Sequence, residues 1–293
     1  MNTMARIAAI AATTLLQFCV PTPATDSPRS QLFTHPQRVA ILGYDDHAME
    51  PFLSRDGRFL LFNNQNDPSV DTNLHYAERI DDLTFQYKGE LRGVNTPALE
   101  GVPTMDRRNN LYFVSPRSYA TTFSTIYRGI FSNGEVSGVT LVAGISRQQP
   151  GIVNFDVEVS RDGETLYFVD ARFGHGVPQT ADIVIAERRG TGFQRARNSA
   201  EILKLVNTAA LEYAPCISAD GLTLLFTRSS AGLRGTPAIF ASQRRLLTEP
   251  FSEPMRLGDL DGFVEAPTLS PDERSLYYHR REGTRFVIYR ATK

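Results

Sequence analysis

Short apolar runs bounded by turn residues recur along the chain from residue 38 onward. Ser54-Arg55-Asp56-Gly57 leads into Phe59-Leu60-Leu61-Phe62, and Ser160-Arg161-Asp162-Gly163 into Leu166-Tyr167-Phe168. Ser218-Ala219-Asp220-Gly221 leads into Leu224-Leu225-Phe226, and Ser270-Pro271-Asp272-Glu273 into Leu276-Tyr277-Tyr278. A degenerate fifth copy, Met105-Asp106-Arg107-Arg108, precedes Leu111-Tyr112-Phe113. The closing aromatics Phe62, Phe113, Phe168, Phe226 and Tyr278 are spaced by 51, 55, 58 and 52 residues. Periods of about this length mark propellers and solenoids. Asp-Gly between two apolar runs is a hairpin signal, because glycine takes positive φ without steric cost. Ser-x-Asp-Gly therefore reads as turn chemistry and not as a catalytic motif.

Each copy continues into a third strand: Leu74–Ala77, Thr125–Arg128, Ile183–Ala186, Ala238–Ala241 and Phe286–Tyr289. A more polar fourth strand follows the first four, as in Phe85–Tyr87 and Val139–Val142. Four strands per unit make a propeller blade. The last unit runs out of chain after its third strand, while Arg38-Val39-Ala40-Ile41-Leu42 stands unpaired before the first. The pattern thus predicts an all-β fold over residues 38–293: a five-bladed β-propeller of four-stranded antiparallel blades. Its N-terminal strand would pair beside Phe286–Tyr289 and remove the open edge.

Ahead of the repeats, Met1–Arg6 is mildly basic, Ile7–Val20 is largely apolar and Thr22-Pro23-Ala24 offers small residues. This is the layout of a signal peptide over residues 1–24, followed by a flexible segment, 25–37. The apolar run is too short for a transmembrane helix, so the expectation is an exported protein, periplasmic or secreted. Leu16-Gln17-Phe18-Cys19 places a cysteine as lipid-attachment motifs do, but bulky Phe18 stands where a small residue belongs. With Cys19 lost, Cys216 remains alone, too few for a disulfide or a zinc site, and reads as a small buried hydrophobe.

The formal net charge of -1 argues against a nucleic-acid partner, which needs a basic excess. There are 18 Phe and 11 Tyr but no Trp, so any stacking platform must use Phe or Tyr. The chain contains no Gly-rich phosphate loop, no Cys-x-x-Cys and no Gly-x-Ser-x-Gly, and no cofactor is expected. His47, His175 and His279 show no metal-ligand spacing, and no metal is expected either.

The pattern Pro-x-x-Ser-x-Asp-Gly-x-x-Leu-x-Phe, in Pro51–Phe62, Pro215–Phe226 and, with Glu273 for glycine, Pro267–Tyr278, resembles the WD-like repeat of TolB-type β-propellers. The resemblance spans all five repeats and implies an exported bacterial propeller. TolB itself resembles a six-bladed propeller with an extra N-terminal domain; five repeats without that domain point away from the Tol-system component. Fold alone does not transfer function.

In a propeller, the loop entering each innermost strand and the loop leaving the second strand share one face, and the Ser-x-Asp-Gly turns lie on the other. The loops entering the inner strands each carry an acid four to six residues before the Ser position (or before Met105): Glu50, Glu100, Asp156, Glu212 and Glu265. Two share a longer motif, Val94-Asn95-Thr96-Pro97-Ala98-Leu99-Glu100 and Val206-Asn207-Thr208-Ala209-Ala210-Leu211-Glu212, and Val153-Asn154-Phe155-Asp156 echoes it. Such loops either gather carboxylates for a ligand or use Asn, Thr and Glu to cap their own backbone. The loops leaving the second strands add Asn63, Asn64, Asn66 and Asp67, then Arg117, then Asp170, Arg172 and His175, then Arg228, then His279, Arg280 and Arg281. This mixture suggests a monomeric binding module for a polar small molecule, a glycan or a partner protein. The alternative is a glycosidase-like hydrolase. Five-bladed propellers of the arabinanase and invertase kind place acids at similar points, which here implies Asp156 with Glu100 or Glu212 as the catalytic pair and Arg117 orienting substrate. A carboxylate separation of about 5–9 Å would mark that chemistry.

Overall fold

The computed structural model describes residues 29–30, 32–66, 70–174, 176–230 and 235–293. The leader over 1–24 with Cys19, and the loop residues Asp67 and His175, lie outside the described residues. Every repeat folds as an antiparallel run of strands. The inner strands are Met49–Leu53, Gly101–Met105, Val157–Val159, Leu211–Ile217 and Val264–Leu269. The second strands are Phe59–Asn63, Asn110–Val114, Thr165–Gly174, Thr223–Ser229 and Ser275–Glu282. The third are Leu74–Arg79, Ile126–Ser132, Val177–Arg189, Ala238–Gln243 and Arg285–Thr292. Outer strands Thr84–Glu90, Glu135–Leu141, Gly192–Arg195 and Met255–Leu257 complete units 1 to 4, and Thr34–Arg38 completes unit 5. The fold is all-β: each repeat is a run of four antiparallel strands, Arg29–Ser30, Ala40–Leu42 and Ile152–Val153 add to these runs, and a parallel Ala181–Leu211 pair joins the third run to the fourth.

The core lies between units, as the two-residue side-chain period of a strand requires. Leu276 and Tyr278 pack back into a cluster with Cys216, Leu225 and Ile239 of unit 4. Tyr277, between them, packs forward against Leu53, Leu60 and Phe62 of unit 1. Three further clusters join units 1 and 2, 2 and 3, and 3 and 4 in the same way. The five closing aromatics are buried completely, and the ring of clusters closes on itself.

The strand that closes the ring is not the apolar stretch 38–42. Thr34–Arg38, which but for Arg38 falls in the segment 25–37 read from sequence as a flexible lead, pairs with Arg285–Thr292, and the amide of Val39 adds a bond to Ile288 O. Ala40–Leu42 instead runs parallel to Thr84–Glu90 of unit 1, and Arg29–Ser30 runs parallel to Met255–Leu257 of unit 4. An outermost strand needs backbone partners on one side only, and the side chains of Thr34–Arg38 are mostly solvent-facing, so polar residues suffice there. The apolar residues Val39 and Ile41 are used under unit 1.

The Ser-x-Asp-Gly turns repeat one hydrogen-bond set. In unit 3 Ser160 Oγ donates to Asp162 Oδ1 at 2.6 Å, and Ser160 Oγ accepts from the Thr165 amide at 2.9 Å. The Glu164 amide donates to Asp162 Oδ1 at 3.0 Å. Burial alone would raise the Asp162 pKa, but these donors outweigh it and hold the carboxyl below its ordinary value. Gly57, Gly163 and Gly221 take the positive φ this turn needs, and Glu273 takes it at φ 58° in unit 5. In unit 2 the turn begins at Asp106, one residue later than the Met105 alignment places it. The Asp106 carboxylate bonds the amides of Arg108 and Asn110, and Asn109 supplies the positive φ. Asp162→Asn is expected to cost about 1 kcal/mol, read as a small drop in melting temperature, without altering anything on the opposite face.

Candidate functional site at the channel mouth

Four inner strands contain a proline that cannot donate to the ladder: Pro51, Pro103, Pro215 and Pro267. Each sits in a bulge, where the pairing with the second strand shifts register. The residue before each proline is in the left-handed region, at φ 50° for Glu50, 56° for Val102, 48° for Ala214 and 55° for Ala266. This is strained backbone for non-glycine residues, most of all for β-branched Val102.

The amide freed by each bulge is held by a side chain of the preceding unit. The Glu50 amide donates to His279 Nδ1 (3.2 Å), the Val102 amide to Asn63 Oδ1 (3.1 Å), the Ala214 amide to Asp156 Oδ2 (2.7 Å) and the Ala266 amide to Thr227 Oγ1 (3.1 Å). Asn63, Thr227 and His279 occupy equivalent places in their second strands, one residue after the closing aromatic. The corresponding residue of unit 3 is Val169, which has no acceptor to offer, and Asp156 takes over. At the remaining junction, Thr104 Oγ1 of unit 2 donates to Glu158 of unit 3. The bulges line a central cavity of about 30 Å³, room for roughly a water molecule or two.

The five acids of the sequence separate into two sets. Glu50 lines this cavity, and Asp156 and Glu265 adjoin it, Asp156 through its bond to the amide of the lining residue Ala214 and Glu265 as the neighbour of the lining residue Ala266. Glu50 accepts from Asn66 Nδ2 at 2.7 Å. Glu265 accepts from the Tyr213 hydroxyl and, at 3.0 Å, from His279 Nε2. Because His279 Nδ1 receives an amide proton, Nε2 is the nitrogen that carries hydrogen. Burial first, then the charges of Asp156 and Glu265, push the Glu50 carboxyl well above its ordinary value against the Asn66 bond. Burial, outweighing the Ala214 amide, together with the Glu265 charge pushes Asp156 up to about 7. Burial and the adjacent Glu265 likewise push the Tyr213 phenol well up.

Glu100 and Glu212 sit apart from that mouth, fully buried in their own loops. Glu212 accepts from the Thr208 amide (3.0 Å), Thr208 Oγ1 (2.7 Å) and Arg228 Nε (2.8 Å). Glu100 repeats this with the Thr96 amide and hydroxyl, both at 2.8 Å, and Ser115 Oγ at 2.7 Å. Arg117 stands 3.9 Å away and stacks over Tyr127. Burial raises the Glu100 pKa despite these donors. Asn95 and Asn207 each exchange two hydrogen bonds with the third strand of the previous unit, at Leu74 and at Ile183. The shared motif therefore performs one mechanical task twice: it ties a linking loop to the unit behind it. Asn154 bonds Val169 O and Asp170, and Asp170 also takes a paired bond from Arg195 and one from Arg147. Burial would raise Asp170, but the two guanidiniums hold it below the usual carboxylate range.

Among the described residues, no three His, Cys, Asp or Glu side chains stand in an arrangement that holds a metal. His47 accepts the Phe286 amide and His279 the Glu50 amide, so each has a backbone partner. The sequence reading did not single out Tyr213 or the bulges. The signal for the bulges was present, since proline inside a buried strand implies one; nothing in the sequence marked Tyr213.

No known protein family matches the sequence, and no curated protein is significantly similar to it. Solved structures do share the fold. The catalytic domain of the Coprinopsis cinerea GH62 alpha-L-arabinofuranosidase is 11% identical, with 91% of this chain and 97% of that one covered and a TM-score of 0.53. A protein solved as an RGII complex is 10% identical, with 92% of each of the two sequences covered and a TM-score of 0.57. TolB from Acinetobacter baumannii is 16% identical over 85% of this chain, with a TM-score of 0.46; this chain spans 55% of it. At these identities the likeness concerns the fold, which is that of a β-propeller.

Proposed function

We propose that the chain is an exported β-propeller binding module whose mouth face takes a polar ligand or partner, with Glu50, Asp156 and Glu265 at the centre. One observation carries this reading. Three buried carboxylates stand close enough for their charges to act on one another beside the cavity that Glu50 lines, and the groups acting on Glu50 and Asp156 include no cation. A hydroxyl donor or a slim cationic tip would satisfy them. The cavity of about 30 Å³ compares with roughly 300–1,000 Å³ for a site that encloses a small molecule. A sugar ring would rest on the rim instead of entering, which favours recognition over cleavage.

Export is supported by the leader pattern at residues 1–24; among the described residues no helix is long and apolar enough to cross a membrane. The mature protein is expected to begin near Thr25 without lipid, and intact-mass spectrometry of protein from a secreting host checks it. An acylated Cys19 would refute the soluble assignment.

The test of binding is a thermal-shift screen of sugars, polyamines and cell-wall fragments on the mature protein, since a ligand specific to the folded state stabilises it by mass action. A hit should disappear in Asp156→Asn and persist in Asp162→Asn. A hit retained by Asp156→Asn places the site elsewhere. One observation favours a hydrolase, with Glu265 as the partner of Asp156 in place of the Glu100 or Glu212 expected from sequence: burial and the Glu265 charge push Asp156 up to about 7, as a second carboxylate acts on the acid in glycosidases. Release of reducing ends from arabinan or aryl arabinofuranosides, abolished by Asp156→Asn, would establish that alternative.

A further inference from the structure

The mouth carboxylates have a consequence that does not depend on any ligand. The groups packed against them are few. Unit 1 contributes Glu50 and Asn66, unit 3 Asp156, unit 4 Tyr213 and the Ala214 amide, and unit 5 Glu265 and His279. Unit 2 brings apolar Val102 to the cavity wall. Glu158 of unit 3 also lines the cavity, and its partner is Arg55, whose guanidinium also holds the carbonyls of Met105 and Val159. Ionised Glu50 and Asp156 would therefore add like charges beside Glu265 in a low-dielectric setting, with hydrogen-bond donors but no cation acting on either of them.

A proton changes this arrangement locally. It turns one carboxylate oxygen into a donor among acceptors contributed by other units. The Ala214 amide keeps its acceptor on Asp156 in either state. We infer that Glu50 and Asp156, set beside Glu265, form a proton-operated latch, which joins the inner ends of units 1, 3, 4 and 5 when they are protonated and loosens the mouth when they are ionised. The strained bulges at Glu50 and Ala214 are the elements it holds, through the His279 and Asp156 bonds to their amides.

The sign follows from linkage. Glu50 and Asp156 titrate above their ordinary values in the folded chain, so the folded state binds more protons than the unfolded state. The stabilisation is complete below the ordinary carboxylate range and is lost as pH rises through the folded values, about 7 for Asp156.

The test is the melting temperature of the ligand-free mature protein from pH 5 to 8.5, with amide exchange of Met49–Leu53 and Leu211–Ile217 at both ends of the range. Wild type should lose several degrees as pH rises, and exchange in these strands should accelerate about tenfold beyond its intrinsic pH dependence. Asp156→Asn and Glu50→Gln, which keep the shape and remove a titrating group, should each flatten the profile, and Asp162→Asn should parallel wild type. If one variant does not fold, the other carries the comparison. A wild-type profile without this loss, or variants that run parallel to it, would overturn the latch. Because no ligand is present, the result is separate from that of the binding screen.

Discussion

A chain beginning at Val39 should unfold far below the mature protein, with a melting temperature at least about 10 °C lower. The segment removed does three things at once. Thr34–Arg38 gives unit 5 its outer strand, and Arg29–Ser30 extends unit 4. Phe33, only 1% exposed, is buried between units 4 and 5 with Leu257, Leu260 and Tyr278. Burial of a phenylalanine of this kind is worth about 3–5 kcal/mol by truncation. For a domain of this size each kcal/mol shifts melting by roughly 2–4 °C. The strand itself is solvent-facing, so its contribution is backbone pairing clamped at the ends by Phe33 and Val39. Phe33→Ala should therefore reproduce most of the loss without shortening the chain. The truncated protein should also associate, because the third strand of unit 5 becomes an unpaired edge. Equal melting of the Val39-start chain and the mature protein would show that the ring does not depend on this closure.

The repeats were legible because their signal is redundant. Four turns use the same chemistry, and five aromatics close the second strands at nearly one period, so a single degenerate copy at Asp106 cannot hide the pattern. The closing strand was not legible at its true position. Thr34-His35-Pro36-Gln37-Arg38 buries almost nothing, and hydrophobic periodicity cannot find a strand held by its backbone alone. The neighbouring Val39-Ala40-Ile41-Leu42 looked more strand-like because it packs under unit 1. The acids could be recognised but not sorted. In sequence, Glu50, Glu100, Asp156, Glu212 and Glu265 differ by one or two places relative to the turn. In space that offset decides whether a carboxylate points to the channel or into its own loop. The motif Val-Asn-Thr-x-Ala-Leu-Glu in fact contained the answer, since Thr four residues before Glu supplies both an amide and a hydroxyl to it.

Glu212→Ala should be among the most destabilising single substitutions on the mouth face, by about 3–5 kcal/mol, or roughly 10 °C of melting temperature. The carboxylate is wholly buried and has three donors. Removing it leaves the Thr208 amide without its acceptor and Arg228 without its counter-charge, while Arg228 remains committed to Val206 O and stacked over Phe240. An unpaired guanidinium in that setting costs far more than the intact pair contributes. Arg228→Met should be milder, because it keeps apolar bulk over Phe226 and Phe240, and the double variant should lose less than the sum of the two. Glu100→Ala should follow the same direction with a smaller loss, since Arg117 lies 3.9 Å from its carboxylate. Asp156→Asn should behave oppositely above neutral pH: one repelling charge is removed, the amide oxygen still accepts from Ala214, and melting temperature at pH 8 should rise or hold. Denaturant unfolding of the four single variants and the Glu212/Arg228 cycle at pH 8 reads all of this in one series. If Glu212→Ala unfolds like wild type while Asp156→Asn is the one that collapses, the roles assigned to the two sets of carboxylates are reversed.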